Sequence, residues 1–385
     1  MKTCLFLLLA LPLAAQSTKP DVLQRIDASK AVYDEIALKI WNYAEVGYQE
    51  VKSSGLLQDQ LRREGFQVEA GVAGIPTAFV ATFGSGSPVI GVLAEFDALP
   101  GISQEAVPEK KDRPGSTAGH ACGHHLFGTG SVQAAVAVKD WLRATGGKGT
   151  IRVYGSPAEE GGSGKVYLVR AGLFNDVDAV VHWHASDRNT VTMMPSLANR
   201  SGKFRFHGVA SHAAASPERG RSALDGVEAM DHMVNMLREH VPETTRIHYV
   251  ITHGGEAPNV VPAFAEVYYY VRSPSREVVS DVWARVEQAA TGAALGTGTK
   301  VDWEITGGVH ELLPNEVLGR VMQQSLEAVG GVTYTPEERA FALKIGQTVY
   351  GKAPAPETAA LIQPFNPNPP REGGGSTDVG DVSWT

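Results

Sequence analysis

The sequence predicts an α/β protein: a mostly parallel sheet flanked by helices, with an α+β unit of ferredoxin-like type inserted after it. Three observations carry this. Up to about residue 185, short apolar or alternating runs trade places with stretches of helical periodicity, the pattern of strands joined by helical crossovers. Near residue 200 the order becomes strand–helix–strand–strand–helix–strand, the order of a ferredoxin-like sandwich. The 385 residues also exceed what one ordinary domain holds.

Residues 20–47, with "VLQRIDASKAVYDEIALKIWNYA", repeat apolar residues at three-to-four spacing and predict a helix. A second helix fits 53–66, closed by Gly65. "TAFVATF", 77–83, and "VIGVLAEF", 89–96, read as strands separated by the turn signal "GSGSP". After a polar loop, 99–119, a helix covers 124–144. It is apolar nearly all round (Val132, Ala135, Val136, Val138, Trp141, Leu142), as for a helix packed on a sheet. "TIRVYGS", 150–156, and "VDAVVHWH", 177–184, are further strands. In the insert, "KFRFHGVA", "RIHYVITHG", "FAEVYYYVRSP" and "KVDWEIT" read as strands. "RSALDGVEAMDHMVNMLREHV" and "VVSDVWARVEQAATGAA" read as helices. The insert closes at about 200–308, leaving 16–199 and 309–385 as two parts of the first domain. "PFNPNPPREGGGS", 364–376, is a loop.

Composition narrows the function. With 43% hydrophobic and 20% charged residues the chain is a soluble globular protein. A net charge of −8 and no basic stripe exclude a nucleic-acid partner, because nothing replaces the counterions around phosphates. "MKTCLFLLLALPLAAQS" has the cationic start, short apolar run and small residues of a signal peptide, cleaved after Ala15. The chain is then expected in the periplasm or outside the cell, with no membrane attachment after cleavage. Of two cysteines, Cys4 leaves with the signal, so Cys122 is the single remaining thiol. An unpaired thiol in an oxidising compartment is a liability unless a group such as a metal ion occupies it.

Cys122 lies in "STAGHACGHHLFGTGS", 116–131, with His120, His124 and His125. Cys122 and His124, just before a helix, are good ligands for zinc or a similar borderline metal, although histidines in such loops are as often plain surface residues. In "SPAEEGGSGK", Glu159 and Glu160 leave a strand in different directions, so one can hold a metal while its neighbour faces the reacting water. The plainer alternative is a solvated acidic turn. A phosphate loop is excluded, since Val166 follows Lys165 where Ser or Thr is required. In "HWH", either His182 or His184 reaches the site, the alternative being one core and one surface histidine. Asp97, in "EFDALPG", is a ligand, a group orienting one, or the first residue of a turn. Together these residues follow successive elements of one α/β domain, which points to a metal site.

The stretches "WNYAEVGYQEVKSS", "LAEFDALPG", "GHACGHH", "PAEEGGSGK", "VDAVVHWH", "SHAAASPERGRSALDGVEAM", "GGEAPNVVPAFAEVYYYVR" and "GSTDVGDVSW" run in order from about residue 40 onward. With them the chain resembles the aminoacylase and carboxypeptidase-G type family of co-catalytic metallopeptidases, in its amidohydrolase branch, which holds the aminobenzoyl-glutamate utilisation proteins. The resemblance implies a zinc-peptidase catalytic domain and a lid and dimerisation domain at 200–308. It implies one or two divalent ions, zinc or manganese, and a homodimer formed through the lid. The reaction would cleave the amide bond of an N-acyl amino acid, an aminobenzoyl-glutamate-like compound or a dipeptide. Cys122, His124, Glu160 and His184 would be the ligands, the cysteine standing where other branches use an aspartate. Glu159 would be the general base and Asp97 the carboxylate behind the ligands. His212 would reach the partner subunit's site and stabilise the oxyanion, while Asn259 and Arg272 would hold the carboxylate end of the substrate. Read alone, His212 and Asn259 are loop residues with local hydrogen bonds, and Arg272 is a surface ion-pair residue of small energetic worth. His125, where Asp or Asn is common, and His120 would be neighbours and not ligands.

Relatives continue past "GSTDVGDVSW" and place a last histidine ligand there, whereas here no histidine follows His310. The expectation is a truncated chain with an incomplete second part of the catalytic domain, 309–385. An inactive binding protein is the competing reading. A cysteine-nucleophile hydrolase leaves Glu159, Glu160 and His184 without a role. A closed structural zinc site suits cysteine-rich sets better.

Overall fold

The computed structural model describes residues 19–352, 355–369 and 374–385. The predicted signal peptide lies outside them. The first domain opens with α1 (Lys19–Tyr43), α2 (Val51–Arg63), β1 (Gln67–Ala70), β2 (Phe79–Ser85) and β3 (Val89–Ala94). A two-residue ribbon, β4 (Leu99–Pro100) with β5 (Ala118–Gly119), leads to α3 (His124–Thr145) and β6 (Gly149–Gly155). The short helices α4 (Glu159–Gly162) and α5 (Gly164–Arg170) precede β7 (Ala179–Val181).

These strands form a five-stranded sheet in the order β1–β2–β6–β3–β7. The expected parallel pairing holds at β6–β3–β7, while β1 and β2 join antiparallel, so the sheet is mixed. An apolar run of six or seven residues announces a strand but not the direction of its neighbour. The parallel trio is what positions the site. Its strands share one carboxyl edge, where ligand sites of open α/β sheets lie. Both faces of the sheet are covered. Ile40 of α1, Leu57 and Leu61 of α2 and Val132 and Ala135 of α3 pack on Phe79, Ala81, Ile151 and Val153. Leu168, Phe174, Val379 and Val382 pack with Leu93 and Tyr154. Each such large side chain taken from water contributes roughly 1.5–3 kcal/mol.

The second domain contains β8 (Ala198–His207), α6 (Ala223–Leu237), β9 (Arg246–His253), β10 (Phe264–Ser273), α7 (Arg276–Thr297) and β11 (Lys300–Val309). Its sheet is antiparallel throughout, ordered β11–β8–β10–β9, the ferredoxin-like arrangement the pattern predicts. Strand period 2 is plain in β10: Ala265, Val267, Tyr269 and Val271 are buried under the helices, and the residues between them face the other side. Ser222 and Ser275 cap α6 and α7 by accepting from Asp225 N and Val278 N.

The chain then passes through α8 (Glu316–Val329), α9 (Pro336–Tyr350) and α10 (Pro356–Ala360) to α11 (Val379–Ser383). Val379 and Val382 of α11 return it to the first domain's core. Among the described residues no helix is long and apolar enough to cross a membrane.

Candidate metal centre

Four elements converge at the carboxyl edge of the parallel trio. Glu95 and Asp97 follow β3, Glu159 and Glu160 follow β6, His184 follows β7, and Cys122 and His124 sit where α3 begins. Gly123 makes that start possible. Its φ is +81°, and a Cβ there would lie 2.7 Å from the Ala185 side chain, in the segment that carries His184. Gly128, one turn on, lets α3 close onto the end of β3, because a Cβ would sit 2.4 Å from the Glu95 carbonyl oxygen.

Cys122, His124 and His184 each offer one donor atom, all within 4.8 Å of one another. Cys122 Sγ is 3.3 Å from His184 Nε2. Each histidine is oriented through its other nitrogen. His124 Nδ1 faces Asp97 Oδ1 at 3.0 Å, and His184 Nδ1 faces the Ala185 carbonyl at 2.8 Å. Those acceptors place the protons on Nδ1 and turn both Nε2 lone pairs inward, the usual support behind metal-ligating histidines. Asp97, buried, also accepts from the Glu160 N–H at 2.9 Å through its other oxygen. It thereby locks two predicted ligands to one another.

Glu160 Oε1 lies 4.0 Å from His124 Nε2; both atoms are buried and neither has a hydrogen bond. A second group of donors shares His124 and adds Glu95 and Glu159 within 4.8 Å. The structure thus brings Glu159, predicted as the base, as near to His124 as a ligand stands, and adds Glu95. Burial, reinforced by the Glu95 charge, pushes the Glu159 carboxyl up to about 7.

The loop carrying the two glutamates is held in sparsely populated conformations: Ala158 at φ +58° and Ser163 at φ +55°. The "AEVGYQE" stretch braces it from below. Tyr48 Oη donates to the Gly162 carbonyl, and Glu50 Oε1 accepts from the Ala158 N–H at 2.8 Å. Gly47 is close enough that a Cβ would meet Ala158 at 3.0 Å. The motif was legible by resemblance. Its bracing role was not, because nothing in residues 44–50 names a partner over a hundred positions later.

Behind the ligands lies a buried charge cluster that sequence reasoning missed. Lys165 Nζ is 2.6 Å from Glu95 Oε1 and 2.7 Å from Asp378 Oδ1, and all three side chains are buried. Burial opposes the ammonium charge, yet Asp378 and Glu95 outweigh it and hold the lysine above its ordinary pKa. Glu95 Oε2 in turn approaches His124 Nε2 at 3.1 Å.

The field of this site favours positive charge. Burial alone would lower the pKa of His124, but the hydrogen bond to Asp97, the neighbouring Cys122 and the Glu95 charge push it up to about 11. Cys122 similarly pushes His184 up to about 9. A cluster that holds protons this firmly also suits a divalent cation. Its donor set of thiol, two imidazoles and carboxylates, with buried polar atoms lacking partners, fits a divalent metal ion.

The neighbouring histidines stand apart. His120 Nε2 faces the Ile40 carbonyl at 3.1 Å, and burial pushes its pKa down to about 4. His125 packs against His120, ring centroids 5.1 Å apart, and is likewise pushed down to about 4 by burial. The strand β7 ends at Val181, so His182 and His184 do not share one strand face. His182 packs edge-on against Phe127, and desolvation pushes it down to about 3.

The second domain contributes unevenly. Arg272 lines a polar pocket of about 150 Å³ that also includes Glu159 and Glu160. Asn259 and His212 lie together elsewhere: the Ala213 N–H donates to the Asn259 carbonyl at 3.0 Å, and His212 bridges to Val260. Their loops adjoin the end of the sheet where Phe264 pairs with His207, whereas Arg272 pairs with Asn199 at the other end. Eight residues of strand separate those ends, about 26 Å. One chain therefore does not bring Asn259 and Arg272 together. His212 Nδ1 accepts from the Ala214 and Ala215 N–H groups at 3.2 and 3.1 Å, which leaves Nε2–H as an exposed donor.

Residues 199–297 match the M20 peptidase dimerisation domain. A p-aminobenzoyl-glutamate hydrolase subunit of Escherichia coli is 45% identical over 327 residues, 84% of this chain and 68% of that protein. The Xaa-Arg dipeptidase of Mus musculus is 30% identical over 341 residues, 85% of this chain and 75% of that protein. An aminobenzoyl-glutamate utilization protein from Klebsiella pneumoniae shares the fold, with a TM-score of 0.66, 18% identity and coverage of 94% of this chain and 88% of that one.

Proposed function

The chain belongs to the M20 peptidase family and is a hydrolase of amide or peptide bonds, and we propose that it cleaves N-acyl amino acids at a centre of one or two divalent ions, zinc or manganese. Compounds of the p-aminobenzoyl-glutamate type come first as substrates and dipeptides second, after the relatives' own activities. One observation carries the metal reading: Cys122 Sγ, two inward-turned Nε2 atoms and an unpartnered Glu160 Oε1 converge on the strand edge.

Cys122, His124, Glu160 and His184 would hold the metal, which supplies polarisation of the amide carbonyl and a water acidified toward neutral pH. Asp97 fixes the His124 ring and the Glu160 backbone at once. Glu159 takes the water's proton on a carboxylate oxygen and returns it to the leaving nitrogen. Arg272 holds the carboxylate of the amine half in the pocket beside Glu159. His212 Nε2–H donates to the carbonyl oxygen as it gains charge, and loss of one such donor costs about 10²–10³ in turnover.

His212 and Asn259 serve the site of a partner copy, and the chain works as a homodimer joined through its second domain. The separation of these residues from Arg272 supports this. So does the edge strand β9, which leaves Tyr249, Val250 and Ile251 exposed. Export to the periplasm or beyond rests on residues 1–15 alone, and the N-terminal residue of the secreted protein tests it. An inert binding protein has no use for a second carboxylate beside the ligands.

The test of the whole reading is metal content and p-aminobenzoyl-glutamate hydrolysis in the wild type and in Glu159→Gln. Retained metal with hydrolysis abolished supports it. Equal loss of both makes Glu159 a ligand and removes the assigned base.

A further inference from the structure

Cys122, His124, Glu160 and His184 leave the Glu95 carboxylate beside them without a role. Glu95 and Glu159 each bring an oxygen within 4.8 Å of a His124 ring nitrogen, but burial separates the two carboxylates. Glu159 lines the polar pocket, where water and substrate can reach it. Glu95 is 1% exposed and lines no part of that pocket. Its oxygens therefore need partners inside the protein. Lys165 Nζ takes Oε1 at 2.6 Å, and Asp378 holds that ammonium from its other side at 2.7 Å. Oε2 has no hydrogen-bond partner among the described residues.

Oε2 does have a neighbour. It lies 3.1 Å from His124 Nε2, yet that atom too is buried and without a hydrogen bond, so the approach is not N–H···O pairing. Asp97 already faces Nδ1, which leaves Nε2 its lone pair. An imidazole lone pair and a carboxylate oxygen this close repel unless a cation lies between them. The span is the one that two ligands of a single ion have. With bonds of about 2.1 Å, donor atoms set between a right angle and a tetrahedral angle lie about 3.0–3.4 Å apart. Cys122 Sγ and His184 Nε2, 3.3 Å apart, are comparably spaced. Nε2 has one lone pair, so Glu95 joins the ion that His124 holds and builds no separate site.

We propose that Glu95 is a further ligand of that ion, binding through Oε2 while Lys165 holds Oε1. This rests on the metal reading of the site. Lys165 and Asp378 are positioning residues: the ammonium fixes the rotation of the carboxylate and limits it to one metal bond. Because Glu95 is buried, its bond does not compete for the side of the ion that an open catalytic site keeps for water and substrate.

Metal affinity separates a ligand from a countercharge. The full chain, stripped of metal, is titrated with Zn²⁺ against a competing chelator as wild type and as Glu95→Asp. That variant keeps the charge beside Lys165 but withdraws the oxygen by one methylene. Groups that only support a ligand from behind are worth about 10–100-fold in metal affinity. The expected result for Glu95→Asp is a rise in the Zn²⁺ Kd of more than about 100-fold. A folded Glu95→Asp whose Kd rises less than that overturns the proposal and leaves Glu95 as a countercharge. Anomalous scattering from zinc in crystals of the wild type reads the same bond without any variant. Oε2 is expected within about 2.2 Å of the ion, and a separation beyond about 3 Å overturns the proposal. A wild type that binds no Zn²⁺ overturns the metal reading and the proposal together, whereas wild-type binding that Glu95→Asp leaves intact overturns the proposal alone.

Discussion

Lys165 Nζ lies 2.7 Å from Asp378 Oδ1, and the Lys165 backbone N–H donates to Oδ2 of the same carboxylate at 2.8 Å. This doubly held pair, 213 residues apart in sequence, ties the segment around α11 to the loop that carries Glu159 and Glu160. Through Glu95 it also reaches His124.

Removing the cation leaves two buried carboxylates facing each other. Lys165→Met is expected to cost about 3–5 kcal/mol in urea unfolding, and the double variant Lys165→Met/Asp378→Leu less than the sum of the singles. Additive costs in that cycle would mean that the two charges do not support one another.

The brace under the glutamate loop is separable from overall stability. Tyr48→Phe removes one exposed hydrogen bond but frees a strained loop bearing the proposed base. Its kcat is expected to fall about ten-fold, with Tm within about 2 °C of wild type. An unchanged kcat would mean that the loop holds its shape without Tyr48.

A pH effect is expected in the second domain. Burial pushes the Asp231 carboxyl up to about 6, against an ordinary 3.8, despite its hydrogen bond from Tyr269. A raised carboxyl pKa favours the neutral form in the folded state. Its stabilising contribution is complete below 3.8 and disappears as pH rises through about 6. The difference is about 2–3 kcal/mol. Asp231→Asn, which stays neutral, is expected to be more stable than wild type at pH 8, with the gap closing toward pH 4. A gap independent of pH would count against the shift.

Site completion by a partner copy predicts complementation. His212→Ala and Cys122→Ser proteins should each be nearly inactive. Unfolded and refolded together, they should regain activity, because a mixed dimer contains one site with an intact metal centre and an intact histidine. No recovery in verified mixed dimers would mean that His212 serves its own chain's site and not the partner's.

Much of this architecture was legible in the sequence because it rests on periodicity. The βαββαβ order of the second domain follows from alternation in "FAEVYYYVRSP" and from the helical spacing of its two long helices. Cys122, His124 and His184 were legible because their chemistry is local to motifs at element ends. Glu95 and Lys165 were not: each reads as an ordinary polar residue until the fold buries it against charges far away in sequence. The separation of Asn259 from Arg272 was equally hidden, since thirteen positions in sequence say nothing of a strand that runs the length of the sheet between them.

The most direct test of the central claim is divalent metal per chain, measured by elemental analysis alongside p-aminobenzoyl-glutamate hydrolysis, before chelation, after it, and after adding zinc or manganese back. One to two ions per chain are expected, with activity lost on chelation and restored on addition, and with Cys122→Ser and His184→Ala both depleted of metal. Hydrolysis that persists in chelated, metal-free protein would contradict the account.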